Sequence, residues 1–499
     1  MSFNSLQFLI FLPLVVLIYW LLPKKARWAF LLIASYYFYM SWNPWLIFLI
    51  IGTTLVSYFA AILMEKAKTP GIKKLMFAIA IILCLGVLIF FKYFNFLIQS
   101  VIDILNLFSL HLESFSLDII LPIGISFYTI QVLSYLIDAY KGTFPAEKHL
   151  GYYALFVCFF PQLVAGPIER PGDLIPQLRA DHKFSLDDLL IGLRILLVGF
   201  FYKVVIADFV GIYINNVLYN LGEANTLSIF LAGFLFTVQM FCDFAGYSEI
   251  ATGAARMMGI RLSRNFDRPY MCNSYTDFFR RWHMTLGRWL TDYIYIPLGG
   301  NKKGKGRRIL NTYIIFLISG LWHGAGWTYL FWGIYAATIM TIEGLAIRPF
   351  EKFLFARGVN TKGKAWNAMK VFLTYFITIP GALLFRSDDL AHAGEIFSGL
   401  FTKWGFGLDY FKASFGNLGL DWMLVIVILL AIVCEWLIHH FGELGRENPI
   451  GEPLPEGALT KTQSASNLVL IVYLITVIGI AWVALLSSGS MSAFQYFQF

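Results

Sequence analysis

Charge is scarce in this chain. Asp, Glu, Lys and Arg make up 14% of its 499 residues, where a soluble domain carries about 25%. A water-facing surface could not be covered with so few, which excludes an ordinary soluble protein. Cysteine is also sparse: Cys84, Cys158, Cys242, Cys272 and Cys434 show no metal-type spacing, and four fall in or beside apolar runs. Neither a disulfide framework nor a bound metal is expected, and each reads as a small core residue. Gly299-Gly300-Asn301-Lys302-Lys303 lacks the full phosphate-loop pattern and reads as a turn. Neither Gly-x-Ser-x-Gly nor Gly-Asp-Ser occurs, so no serine-esterase machinery is evident.

What is present is apolar: 58% of residues are hydrophobic and 18% aromatic. Apolar windows lie near 6–22, 27–43, 45–63, 75–98, 115–137, 150–165, 189–209, 226–245, 309–322, 325–346, 366–386, 421–440 and 468–487. About 20 helical residues cross a bilayer. The fold class is therefore an all-α polytopic membrane protein of about 11–13 transmembrane or re-entrant helices. The windows at 150–165 and 309–322 are short and read as candidates for re-entrant segments, which need cover from protein or a watery cavity. The first window has no basic flank before it and no cleavage site after it, so it reads as a retained helix.

Lys and Arg set the orientation. Lys24, Lys25 and Arg27, and then Lys66, Lys68, Lys73 and Lys74, mark cytoplasmic loops; Ser41–Pro44 and Gln99–Leu117 carry neither Lys nor Arg. Both termini are predicted to be extracytoplasmic. Gly253–Arg308 holds twelve Lys and Arg against Asp267, Asp277 and Asp292. Topology explains most of that charge, and attraction of an anionic cytosolic donor would use the rest. A nucleic-acid partner is a poor reading of a segment so aromatic and so flanked by spans. Residues 1–487 read as one membrane domain, with Gly442–Ser466 as a cytoplasmic linker and 488–499 as a tail.

Two histidines stand where histidines are costly. His323 sits in Leu321-Trp322-His323-Gly324, inside an apolar stretch from about Ile309 to Ala346, and His283 follows Arg280-Arg281-Trp282. An ionisable group at membrane depth faces a cavity or a partner, and imidazole can act as base or acid near neutral pH. A packed histidine bonded to a carbonyl is the alternative for each. Asp243 is expected to pair with Arg256 or line a tunnel, and Asp138 and Arg386 to act at helix ends.

Several stretches, in order, resemble the membrane-bound O-acyltransferase family. They are Leu121-Pro122-Ile123-Gly124-Ile125-Ser126-Phe127-Tyr128 with Ser134–Asp138, Pro161–Ile168, Asp243–Ser248, Asn265-Phe266, Phe279–His283, Tyr295–Gly300, and Leu321–Gly324 with Phe331–Gly333. The branch they most resemble acetylates alginate and peptidoglycan, with teichoic acid D-alanyl transferases as cousins. The resemblance implies a helical ring around a central tunnel, His323 as the membrane histidine, and His283 as the second catalytic position. It also implies acetyl-CoA as thioester donor, met by Arg280, Arg281, Trp282 and Trp322.

The chain ends Phe494-Gln495-Tyr496-Phe497-Gln498-Phe499. An aromatic anchor at the interface is one reading. The resemblance implies another, in which Tyr496 takes the acyl group, with His323 removing the proton of its phenol, whose pKa is about 10. The group would then pass to an extracytoplasmic SGNH-type O-acetyltransferase that modifies a polysaccharide. D-alanyl transfer, a transporter and a scaffold without acyl chemistry remain as alternatives. A transporter would show inverted repeats or broken helices in matching halves, and none is evident.

Overall fold

Helices begin here where a polar cap precedes an apolar run. In the computed structural model, which describes residues 1–417, Ser5, Thr69 and Ser185 each accept a backbone N–H at the start of a helix. Asn225 and Ser228 close a capping box ahead of Thr226–Arg256. Among the described residues there is no strand. Among the described residues six helices are long and apolar enough to cross a membrane: Pro44–Lys66, Pro70–Asn106, Leu186–Leu218, Thr226–Arg256, Trp327–Ala356 and Lys364–Arg386. Leu6–Leu21 is a shorter apolar helix. The protein is all-α and multi-pass. The windows at 421–440 and 468–487, the linker and the tail with Tyr496 lie outside the described residues.

Three windows differ from their expected form. The 115–137 window is not one span: its helix is Ile125–Lys141, because Pro122 and left-handed Gly124 (φ 73°) set a turn just before it. A Cβ on Gly124 would lie 2.5 Å from the Leu163 carbonyl oxygen, so only glycine fits that turn. The 309–322 window is not short. It is the apolar part of the 20-residue helix Gly304–His323, whose first turns are basic and invisible to hydropathy. The 150–165 window breaks into Leu150–Cys158 and Phe160–Leu163, and residues 153–163 are buried in protein.

Among the described residues four π turns interrupt the helical course, at Ile89–Tyr93, Phe201–Ala207, Thr291–Tyr295 and Glu343–Ile347. Each carries a charged side chain with partners. Lys203 pairs with Asp208 and Asp243, both at 2.6 Å. Asp292 pairs with Arg170 at 2.8 Å, and Glu343 accepts from the Thr276 N–H at 2.9 Å. Asp243 and Arg256 lie on one helix, about 20 Å apart along its axis, too far to pair, and Arg256 reaches Asp188 at 2.7 Å. The π turn at 201–207 brings Lys203 within reach of Asp243. Asp138 and Arg386 do sit at helix ends, where Asp138 accepts from the Tyr293 hydroxyl and Arg386 donates to Tyr219 and Asn215.

Leu186–Leu218 and Thr226–Arg256 pack as closely as backbones allow. A Cβ on Gly192 would meet the Gly253 carbonyl oxygen at 2.7 Å, and one on Gly199 would meet that of Gly246 at 2.6 Å. Two antiparallel glycine pairs, seven residues apart on both helices, replace the apolar driving force that lipid cannot supply. The second helix thereby presents Phe244 and Ser248 to the centre of the molecule. Gly304–His323 and Trp327–Ile342 form an equally tight hairpin: a Cβ on Gly320 would lie 2.3 Å from the Tyr329 carbonyl oxygen.

Candidate active site

The two histidines meet. His323 is the last residue of Gly304–His323, and His283 sits at the turn between Tyr275–Arg281 and Met284–Leu290. Both are buried, and their ring centroids are 6.4 Å apart at 54°. One reacting oxygen can lie within hydrogen-bond reach of both rings at that spacing. Aromatic rings fix them. Phe244 stands edge-on to His283 with centroids 4.7 Å apart, and Trp332 and Phe385 flank His323 at 5.4 and 5.2 Å.

His283 adopts left-handed backbone angles, φ 44° and ψ 54°. That conformation costs a non-glycine residue roughly 1–2 kcal/mol. Backbone pairing holds it: the Met284 N–H donates to the Asn265 carbonyl at 2.8 Å, and the Asp267 N–H to that of Arg281 at 2.9 Å. The side chain is fixed by a polar chain. The Ile168 N–H donates to Thr285 Oγ1, so that hydroxyl gives its own hydrogen to Asn265 Oδ1 at 2.9 Å. The Asn265 amide nitrogen donates to Ser248 Oγ at 3.0 Å. Asn265 Oδ1 is therefore an acceptor, and His283 Nδ1, 2.9 Å away, is the donor. Nε2 then carries the lone pair, and it is buried without a hydrogen-bond partner among the described residues. This imidazole is set up to take a proton.

Both histidines line one cavity of about 810 Å³. Arg280, Arg288, Arg308, Arg348 and Lys352 line it too, and among the described residues no carboxylate does, although Arg348 is paired with Glu343 just behind the wall at 2.5 Å. Arg308 lies 15 residues before His323 on one helix, about 22 Å along the axis at 1.5 Å per residue. Arg308 and His323 thus stand far apart along one pocket, while Arg280 and Arg288 lie within five residues of His283, a spread of positive charge suited to a long anionic donor with a reacting thioester. Arg280 and Trp282 line this cavity. Arg281 does not appear in its wall and pairs with Asp277 at 2.9 Å. Trp322 walls a second, smaller cavity of about 80 Å³, which His323 also reaches. Its walls include Trp42, Lys92, Ser126 and Phe127. His323 stands where the two cavities meet.

Lys92 and Tyr93 were not singled out by sequence reasoning. Lys92 Nζ donates to the carbonyls of Trp322 at 2.7 Å and His323 at 3.0 Å, and the Tyr93 hydroxyl donates to that of Leu321 at 2.6 Å. One π turn thereby satisfies three of the carbonyls that end the His323 helix. The signal existed, since Lys92 is the one charge in the apolar window 75–98. Asn265, Ser248 and Thr285 carried no such signal, because neutral polar residues are common in helical membrane proteins. Among the described residues no group of three or more His, Cys, Asp and Glu could hold a metal ion.

Residues 145–387 match the family described as MBOAT, membrane-bound O-acyltransferase. The chain is 34% identical to the protein named "Probable alginate O-acetylase AlgI" of Pseudomonas putida, over the whole of both chains. It is 30% identical to the peptidoglycan O-acetyltransferase of Helicobacter pylori, over 100% of this chain and 97% of that one. It is also 30% identical to the teichoic acid D-alanyltransferase of Bacillus subtilis, over 54% of this chain and 70% of the other.

Proposed function

Since this chain belongs to the membrane-bound O-acyltransferase family, and is by that membership an acyltransferase, we propose that it transfers acetyl groups from a cytosolic thioester to an extracytoplasmic glycan. The donor is acetyl-CoA, and the recipient at the membrane is Tyr496. A separate exported transferase of the SGNH type carries the group to the polysaccharide, an alginate-like exopolysaccharide, peptidoglycan or another wall glycan. The enzyme sits in a bacterial cytoplasmic membrane with both termini outside. The observation that carries this reading is the single cavity joining two buried histidines to five cations and, among the described residues, no carboxylate. The cations meet the donor's phosphates, and the thioester reaches the imidazoles.

At the inner end His323 takes the proton of the incoming hydroxyl, whose oxygen forms a bond to the acetyl carbon. The carbon–sulfur bond breaks, and the imidazolium returns the proton to the thiolate. His283, with Nδ1–H held by Asn265, faces the same site with an acceptor Nε2 and orients the attacking hydroxyl before His323 takes its proton. The apolar rings around both histidines exclude water that would hydrolyse the thioester. An aryl ester on Tyr496 is itself a good acyl donor, which suits a relay.

Mass spectrometry of the C-terminal peptide, after the purified protein meets isotope-labelled acetyl-CoA, tests this directly. Label on Tyr496, lost in Tyr496→Phe and His323→Ala, is the expected result. An unlabelled peptide from folded protein that still binds acetyl-CoA would remove the relay and leave direct transfer to the partner.

A further inference from the structure

A further cavity shares no wall residue with those that His323 reaches. It holds about 110 Å³ and opens between the turn that joins Leu6–Leu21 to Lys24–Met40 and the loop after Pro171–Arg179. Lys24, Lys25, Arg27 and Arg179 line it, against one carboxylate, Asp181. Asp181 meets Lys24 at 3.4 Å, and Glu147, outside the wall, pairs with Arg179. Among the described residues Lys25 and Arg27 have no carboxylate partner. Arg27 is nevertheless built in. Its Nε donates to the Leu22 carbonyl at 3.2 Å and its Nη1 to that of His182 at 2.8 Å, and the guanidinium lies over the Tyr19 and Trp20 rings at 5.0 and 4.8 Å. Three of its five N–H groups donate to no described residue. The bias of Lys and Arg toward cytoplasmic loops explains why cations stand at this turn. It does not explain why they are gathered around a cavity with two charges unanswered.

We propose that this cavity binds the phosphodiester of an anionic glycerophospholipid of the cytoplasmic leaflet, with Arg27 and Lys25 as the groups that meet the phosphate. Guanidinium and ammonium donors suit a phosphate monoanion, and basic pockets between spans on the cytoplasmic side take such head groups. At about 110 Å³, against about 810 Å³ for the large cavity, the space takes a head-group phosphate and not a coenzyme's nucleotide. The surroundings favour a lipid over free phosphate. Leu21 is 75% exposed, and Phe184, 58% exposed, stands edge-on to Trp20 with centroids 5.4 Å apart. These apolar surfaces beside the cations lie where acyl chains would run. The site also touches the catalytic frame. Trp20 Nε1 donates to the Met257 carbonyl at 3.0 Å, Ile260 is in the cavity wall, and Gln177 and Arg261 exchange two bonds at 2.9 Å. Residues 257–261 lead to Asn265, which holds His283. The head group thus braces the stretch that positions the site.

The test uses the full chain, stripped of lipid in a neutral detergent, and reads binding and not acetyl transfer, so it stands apart from the acyl chemistry above. Native mass spectrometry with phosphatidylglycerol is expected to show one lipid retained per chain, held at least about 10-fold more tightly than phosphatidylcholine. Inorganic phosphate at the same concentration should not compete. Lys25→Glu, at an exposed side chain without an ion pair among the described residues, is expected to lower that retention by about 10-fold, and Arg27→Gln by more. Lys183→Gln, which removes a neighbouring cation outside the cavity wall, should leave it unchanged. Hydrogen exchange over residues 257–265 should slow when phosphatidylglycerol is added to the wild type and not when it is added to Lys25→Glu. Equal retention of the two lipids, or a loss as large in Lys183→Gln, would show general charge attraction and overturn the site. Displacement by inorganic phosphate would overturn the lipid as its occupant. Unchanged exchange with the lipid bound would overturn the brace.

Discussion

Asn265 Oδ1 lies 2.9 Å from His283 Nδ1; it also accepts from the Thr285 hydroxyl, while the amide nitrogen donates to Ser248, so the oxygen has no role toward His283 but acceptor. A neutral amide thus performs the task that a carboxylate performs in other acyl-transfer sites: it fixes tautomer and ring orientation without adding a charge at membrane depth. Asn265→Ala is expected to lower turnover by about 10²-fold by freeing the ring, with little change in KM for the donor. Nitrogen-15 NMR of histidine-labelled protein checks the cause. The His283 signal pair should show a protonated Nδ1 and bare Nε2 in the wild type, and tautomer exchange in the variant. An unchanged tautomer in Asn265→Ala would show that Asn265 acts only in packing.

The two imidazoles share one site, so their losses should not add. His323→Ala and His283→Ala are each expected to reduce transfer by at least about 10³-fold, and the double variant by little more than the worse single one. Single-turnover kinetics on protein that elutes as a folded species would read this. Multiplicative losses would mean that the histidines serve separate steps.

Much of this site was legible in the sequence, and the reason is physical. His323 and His283 were conspicuous because an ionisable group in apolar surroundings is costly, and the basic run Gly253–Arg308 because charge near spans is rationed. The neutral polar chain from Ile168 to Ser248 was not legible, since it joins residues up to 117 positions apart through contacts that only folding creates. Hydropathy also failed at the Gly304–His323 helix, where an average over apolar residues trimmed off Arg307 and Arg308 at the start of the helix. The partner of Asp243 could not be read either. Lys203 and Arg256 both lie in or beside apolar runs, and a π turn brings Lys203 into reach.

The Arg308 end of the large cavity should govern donor affinity and not turnover. Arg308→Glu or Arg308→Ala is expected to raise KM for acetyl-CoA by about 10-fold or more, with kcat within about twofold. The wild-type KM should rise with ionic strength as the charges are screened, and the variants should show a shallower dependence. Acetyl-pantetheine, which lacks the nucleotide phosphates, should distinguish wild type from variant hardly at all. A large effect on that truncated donor would place this arginine in folding instead.

Helix pairing through Gly199 and Gly246 has a mechanical consequence. Gly199→Leu would drive a side chain into the Gly246 carbonyl and push the Thr226–Arg256 helix outward, carrying Phe244 and Ser248 away from His283. The expected loss of stability is about 3 kcal/mol, with activity falling more than stability alone accounts for. Thermal unfolding in detergent beside the specific activity of the surviving folded fraction separates the two effects. Full specific activity in that fraction would show that the helix position does not matter to the site.

Glu169 ties the same region to pH. Its carboxyl is buried, accepts from the Ser263 hydroxyl and backbone N–H, and is held at about 7 by desolvation, above its ordinary value of 4.5. The folded protein keeps this proton up to near neutrality, while the unfolded chain releases it near 4.5. Below that value both states are protonated and the group has no effect. Between 4.5 and 7 the unfolded state binds fewer protons, so stability falls as pH rises, by about 3 kcal/mol once both states are ionised. Glu169→Gln keeps the shape, offers an oxygen to the N–H and an amide hydrogen to the Ser263 hydroxyl, and removes the titration. Its melting temperature should vary less between pH 5 and 8 than the wild type's and lie above it at pH 8. Parallel pH profiles for the two proteins would show that the folded state holds Glu169 as a carboxylate throughout.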